Sequence, residues 1–124
     1  MVVRGESEGA RAVQTGCDSY RDQLWYFVPT GDRFGEIFLL QNLNSKRCLV
    51  ARGMGESYVV QTTCDARYRD QRWRFSGPEG YFRLSNENSY LCLVVRTRVP
   101  ETPLVQTDCN TGYADQFWKL YPVD

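Results

Sequence analysis

One phrase occurs three times in this chain. It reads Val13-Gln14-Thr15-Gly16-Cys17 … Tyr20-Arg21-Asp22-Gln23-Leu24-Trp25, then Val60-Gln61-Thr62-Thr63-Cys64 … Tyr68-Arg69-Asp70-Gln71-Arg72-Trp73. The third copy is Val105-Gln106-Thr107-Asp108-Cys109 … Tyr113-Ala114-Asp115-Gln116-Phe117-Trp118. The tryptophans fall 48 and then 45 residues apart, so each unit takes roughly a third of the 124 residues. Units of this size cannot bury an apolar face alone and must pack on one another. Three of them in so short a chain predict one closed domain over 1–124, with repeats at approximately 1–30, 31–78 and 79–124.

The second and third units show how each is built. A strand-like stretch opens them, Ile37-Phe38-Leu39-Leu40 or Tyr81-Phe82-Arg83-Leu84. The framework Leu-x-Asn-x-x-Ser-x-x-Cys-Leu-Val then recurs, placing a turn before a second strand at Cys48 or Cys92. A third strand carries Val-Gln-Thr, and a fourth is expected to begin at Gln-x-Trp. Glycine- and proline-rich segments separate them, and no helical periodicity is present. Three sets of four short strands predict an all-β barrel with threefold pseudosymmetry, which also removes exposed edges.

Composition narrows the function. Fifteen cations balance fifteen anions, so no net field draws the chain to nucleic acid or an anionic surface. No apolar run approaches the ~20 residues of a membrane helix, so no membrane insertion is expected. Histidine is absent, which removes the commonest general base and metal ligand. With no phosphate-binding glycine loop and no nucleophile beside a base, the reading is a non-enzyme without cofactor or metal.

Five cysteines in a turn-rich chain suggest an oxidising, secreted setting. Cys48 and Cys64 are 16 apart, Cys92 and Cys109 are 17 apart, and each pair joins equivalent points of a repeat. If bridged, each closes a loop worth roughly 3 kcal/mol; the alternative is a set of buried free thiols. Cys17 has no partner in this chain. Aligning Met1-Val2-Val3-Arg4 with Leu49-Val50-Ala51-Arg52 and Leu93-Val94-Val95-Arg96 puts the missing cysteine one residue before Met1. The expectation is that the first strand of repeat one and the partner of Cys17 lie upstream, together with a signal peptide.

Gln23-Leu24-Trp25, Gln71-Arg72-Trp73 and Gln116-Phe117-Trp118 resemble the three QxW motifs of ricin-B-type β-trefoil lectins. The likeness extends over nearly the whole chain and implies a β-trefoil. It implies structural roles for Trp25, Trp73 and Trp118 in the core, and for Gln23, Gln71 and Gln116 in tying each repeat together. It also implies a sugar site built on an Asp after Cys-Leu, an aromatic before the second Cys, and an Asn beside the QxW glutamine. Here those positions hold Val2, Val50 and Val94; Thr15, Thr62 and Thr107; and Asp22, Asp70 and Asp115. Valine cannot accept a hydrogen bond and threonine cannot stack, so the usual galactose site is not expected to work.

Every repeat nevertheless keeps Tyr-x-Asp-Gln-x-Trp. Tyr20, Tyr68 and Tyr113, with Asp22, Asp70 and Asp115 and the third-strand Gln14, Gln61 and Gln106, form a candidate displaced glycan site. The bland alternative is that the aspartates cap loops and the tyrosines cover the barrel end. Around repeat two, Arg67, Arg69, Arg72 and Arg74 form a candidate interface for a protein or an anionic glycan; the bland alternative is a solvated strand face partly neutralised by Asp65 and Asp70. Two functions therefore stand. One is a secreted glycan-binding module with non-standard sites. The other is a protein-interaction or targeting subunit of a secreted toxin or enzyme assembly that has lost sugar binding.

Overall fold

A computed structural model of the protein describes residues 1–17, 20–77, 81–110 and 116–119. Two 3-10 turns, Arg21–Gln23 and Arg69–Gln71, lie wholly within these residues. In repeat one the strands are β1 (Val2–Val3), β2 (Ala12–Val13) and β3 (Trp25–Pro29). Repeat two follows with β4 (Ile37–Asn42), β5 (Cys48–Val50), β6 (Ser57–Tyr58), β7 (Val60–Thr62) and β8 (Trp73–Ser76). Repeat three adds β9 (Arg83–Asn86), β10 (Cys92–Val94) and β11 (Val105–Thr107). All pairings are antiparallel. The sheet runs β6-β11-β10-β9-β8-β4-β5-β7, with β3 also on β4. The result is all-β, a nearly closed barrel-like sheet of β-trefoil architecture.

The pseudo-threefold axis is marked by a ring of backbone hydrogen bonds. Ala12 N–H donates to the Val59 carbonyl (2.8 Å), Val59 to Leu104 (3.1 Å), and Leu104 back to Ala12 (2.8 Å). All three residues are fully buried. They belong to one core with Val3, Leu40, Leu49, Ala51, Trp73, Leu84 and Leu93. Short strands can be apolar throughout in such a centre, and both Cys-Leu-Val segments are buried at every position.

The repeated Leu-x-Asn-x-x-Ser framework has a direct cause. Asn42 Oδ1 accepts the N–H groups of Asn44 and Ser45, and Asn86 Oδ1 those of Asn88 and Ser89. Each asparagine thus closes its own hairpin turn from within. The fourth strand begins later than expected, at the tryptophan rather than the glutamine. Gln23 and Gln71 end the 3-10 turns, their N–H groups donating to the Tyr20 and Tyr68 carbonyls.

The three tryptophans are not equally covered. Trp73 is fully buried, whereas Trp25 and Trp118 are half-buried against the same core. Strand β8 is flanked by β4 and β9, while β3 pairs with β4 alone among the described residues. A strand with one covered edge leaves its side chains wetter, and Tyr26 and Phe27 are accordingly exposed.

Candidate functional site

The Asp-Gln-x-Trp phrase builds a rigid shelf. Gln71 Oε1 accepts the Asp65 N–H (2.9 Å) while its Nε2 donates to the Thr63 carbonyl (3.1 Å). Gln116 repeats this with Asn110 and Asp108. The indole N–H groups of Trp25, Trp73 and Trp118 donate to the carbonyls of Met1, Leu49 and Leu93, three equivalent points. Asn42 and Asn86 reach back across the repeat boundary to the carbonyls of Asp22 and Asp70. Each 3-10 turn is therefore pinned from both sides, and the tyrosine at its start is held out in solvent. Tyr68 is 58% exposed and Tyr20 65%.

Two grooves at equivalent places follow. In repeat two a groove of about 360 Å³ is lined by Val50, Arg52, Thr62, Asp65, Tyr68 and Asp70, among others. In repeat one a wider, more open one of about 590 Å³ is lined by Arg4, Tyr20, Arg21, Asp22 and Asn44. The structure thus brings Tyr68 to Asp70 and Tyr20 to Asp22. Tyr113 and Asp115 lie outside the described residues.

The third-strand glutamines are not part of either groove, contrary to expectation. Gln61 and Gln106 are fully buried. Gln61 donates to the Gly5 and Ser7 carbonyls and accepts from the Ser45 hydroxyl. Gln106 donates to the Gly53 and Gly55 carbonyls and accepts from Ser89. Gln14 donates to the carbonyls of Thr97 and Val99. Each of these glutamines fastens a turn of the preceding repeat in cyclic order, and the buried amides of Gln61 and Gln106, bonded at both oxygen and nitrogen, are consumed by the fold and unavailable to a ligand.

A second cyclic set, not anticipated from the sequence, lies nearer the surface. Arg4, Arg52 and Arg96 donate to the hydroxyls of Thr15, Thr62 and Thr107 in their own repeats. They also face Glu101, Glu8 and Glu56, each from the preceding repeat. An arginine two residues beyond each Leu-Val position was the available signal. The threonines that replace the stacking aromatic are thus occupied by arginine, and Val2, Val50 and Val94 are buried beneath.

The arginine cluster of repeat two is largely engaged within the chain. Arg67 pairs with Asp65 through two nitrogens, holding that carboxyl down at about 2. Arg72 Nε donates to the Ala66 carbonyl at 2.7 Å. Arg74 bridges Glu36 (2.9 Å) and Glu87 (2.8 Å). Only Arg69 of the four has an exposed side chain without an ion pair among the described residues. Cys17 is an exposed free thiol.

Glu8 is the most heavily bonded member of the surface set. The Thr62 hydroxyl (2.8 Å), the Thr63 N–H and Arg47 converge on its Oε1, and the Thr62 bond is the largest cause of its pKa lying below the ordinary 4.5. A depressed folded-state pKa means stability that is complete above the unfolded value and is lost as pH falls through the folded one. Glu8→Gln should therefore lower the melting temperature at neutral pH, with the gap to the wild type closing as the pH falls below the ordinary carboxylate value. Melting curves across that range check this; a gap that persists in acid refutes it.

Among the described residues, no group of His, Cys, Asp and Glu could hold a metal ion, and no helix is long and apolar enough to cross a membrane. The family described as ricin-type beta-trefoil lectin domain matches residues 36–124. No curated protein matches the chain. Among solved structures, the designed threefold-symmetric protein ThreeFoil is 22% identical with a TM-score of 0.87, over 98% of this chain and 89% of its own. The exo-beta-1,3-galactanase 1,3Gal43A from Clostridium thermocellum is 26% identical, TM-score 0.76, over 92% of this chain but 25% of its own. A non-toxic homologue of type II RIPs from bitter gourd, Momordica charantia, solved with alpha-methyl-D-galactoside, is 26% identical with a TM-score of 0.73. That match covers 94% of this chain and 40% of the bitter gourd chain.

Proposed function

Because the chain belongs to the ricin-type β-trefoil lectin family, we propose that it is a secreted, non-catalytic carbohydrate-binding module with displaced sugar sites. The sites are the Tyr-x-Asp grooves, Tyr68 with Asp70 and Tyr20 with Asp22. The observation that carries this reading is the recurrence, in two repeats, of an exposed tyrosine ring beside a carboxylate at one place in the fold. A tyrosine face covers the C–H face of a sugar ring, and a carboxylate accepts bonds from its hydroxyls. Two of the structural relatives support carbohydrate as the ligand class: one is an exo-beta-1,3-galactanase, the other was solved with a galactoside. The two disulfides suit an extracellular setting.

Tyr68→Ala should leave the melting curve nearly unchanged, since the ring is largely in solvent, and should abolish or strongly weaken glycan binding by repeat two. A glycan array on folded protein, followed by titration of the best ligand, tests this. A blank array would sink the carbohydrate reading. It would favour the second one, a protein-interaction or targeting subunit, for which Tyr26, Phe27 and Phe34, exposed on and between β3 and β4, supply the aromatic surface.

A further inference from the structure

The three equivalent arginines are not equally engaged. Arg4 lies 2.6 Å from Glu101 and 3.6 Å from Asp22, so its charge is shared between two carboxylates. Arg96 is in direct contact with Glu56. Arg52 is different. Its nearest carboxylate oxygen, Glu8 Oε2, is 3.8 Å away, beyond hydrogen-bonding distance. Glu8 spends its other oxygen on Thr62, Thr63 and Arg47. Arg52 keeps one hydrogen bond, to the neutral Thr62 hydroxyl, and its side chain is 61% exposed at the groove.

The acceptors of the same groove are split in the opposite sense. Asp65 is neutralised by Arg67. The Asp70 carboxylate makes no hydrogen bond or ion pair among the described residues, although its backbone carbonyl accepts from Ala51 and Asn86. Asp70 does not pair with Arg52. In repeat one the corresponding Asp22 does face Arg4. Repeat two therefore keeps an open cation and an open anion in one groove, apart from each other, with the Tyr68 ring on the wall and Val50 in the lining.

Resting on the carbohydrate reading, we propose that the groove of repeat two selects an acidic sugar residue. Its anionic substituent lies on Arg52, its hydroxyls on Asp70, and its C–H face on Tyr68. The guanidinium fork matches a planar carboxylate or a sulfate through paired N–H donors. Asp70 disfavours an anion at its own end and accepts only from hydroxyls, which fixes the direction of the ring. The groove of repeat one lacks this selectivity, because Arg4 is already shared between Asp22 and Glu101.

Calorimetric titration with three matched oligosaccharide series, neutral, uronate-bearing and sulfated, tests the proposal and separates the two anionic sources. The wild type should bind at least one acidic series about tenfold tighter than its neutral counterpart, the difference expected for one charge-assisted pair. Arg52→Gln should erase that preference while leaving weak neutral binding, and Arg52→Lys should restore part of it. Raised salt should weaken only the acidic series. Neutral binding as tight as acidic, or an acidic preference untouched by Arg52→Gln, overturns this inference and leaves the carbohydrate reading standing. Failure of all three series to bind folded protein overturns both.

Discussion

Trp73→Ala should abolish the cooperative melt or move it far below that of the wild type. The indole is completely buried and packs in the core with Leu40, Leu49, Leu84 and Leu93. Its N–H donates to the Leu49 carbonyl at 3.2 Å. Truncation of a buried tryptophan costs roughly 3–5 kcal/mol in lost transfer energy and residual cavity. The orphaned carbonyl adds about 1–3 kcal/mol unless water reaches it. Against a net stability of about 5–15 kcal/mol for a domain, that loss removes a large part of it and, toward the lower end, all of it. Trp25→Ala should cost visibly less, because that ring is half-buried and β3 is covered on one edge. Thermal denaturation followed by far-UV circular dichroism gives the ranking. A Trp73→Ala protein that melts like the wild type would show that the ring does not hold the core.

Much of this fold can be read directly from the sequence, because it repeats. Three copies of Gln-x-Trp at similar spacing establish the trefoil, and the equivalent positions of Cys48 with Cys64 and Cys92 with Cys109 anticipate the two bridges that form. What repetition does not reveal is where a polar side chain points. Gln61 sits in Val60-Gln61-Thr62, a strand packed between β5 and the turns of another repeat, so alternation assigns it no solvent face. Its partners, Gly5 and Ser7, lie more than fifty residues away in sequence. Separations of forty residues or more likewise hid the Arg52–Glu8 and Arg96–Glu56 contacts. Local pattern locates a tyrosine on a turn, because the turn is built from neighbours. It does not locate a glutamine whose amide N–H groups run to another repeat.

The arginine cluster illustrates the converse. Four cations within eight residues look like an interface, yet Arg74 is drawn off by Glu36, just before β4, and Glu87, just after β9. Density along the chain says little about net charge in space once a sheet brings acids from other strands alongside. Arg52, outside the cluster in sequence, keeps more of its charge available than Arg67 or Arg74, because Glu8, the carboxylate that faces it, is already held by three other donors.

Removing either disulfide should lower the melting temperature by about 10 °C, and removing both should bring the domain close to unfolding at ambient temperature. The loops closed are 16 and 17 residues, each worth roughly 3 kcal/mol in the chain-entropy model. The bridges lie in different repeats, so their contributions should add. Cys48→Ser with Cys64→Ser, Cys92→Ser with Cys109→Ser, and the fourfold variant give the three measurements. Cys17→Ser is the control and should be silent, since that thiol is exposed and unpaired. The two bridges should also differ in reducibility. Cys48 and Cys92 are both buried, but Cys109 is exposed whereas Cys64 is half-buried. A thiolate reductant must reach a sulfur before it can exchange. Graded reductant should therefore open Cys92–Cys109 first, which mass spectrometry after alkylation reads directly. Loss of Cys48–Cys64 first would mean that repeat two opens more readily than its buried surroundings allow.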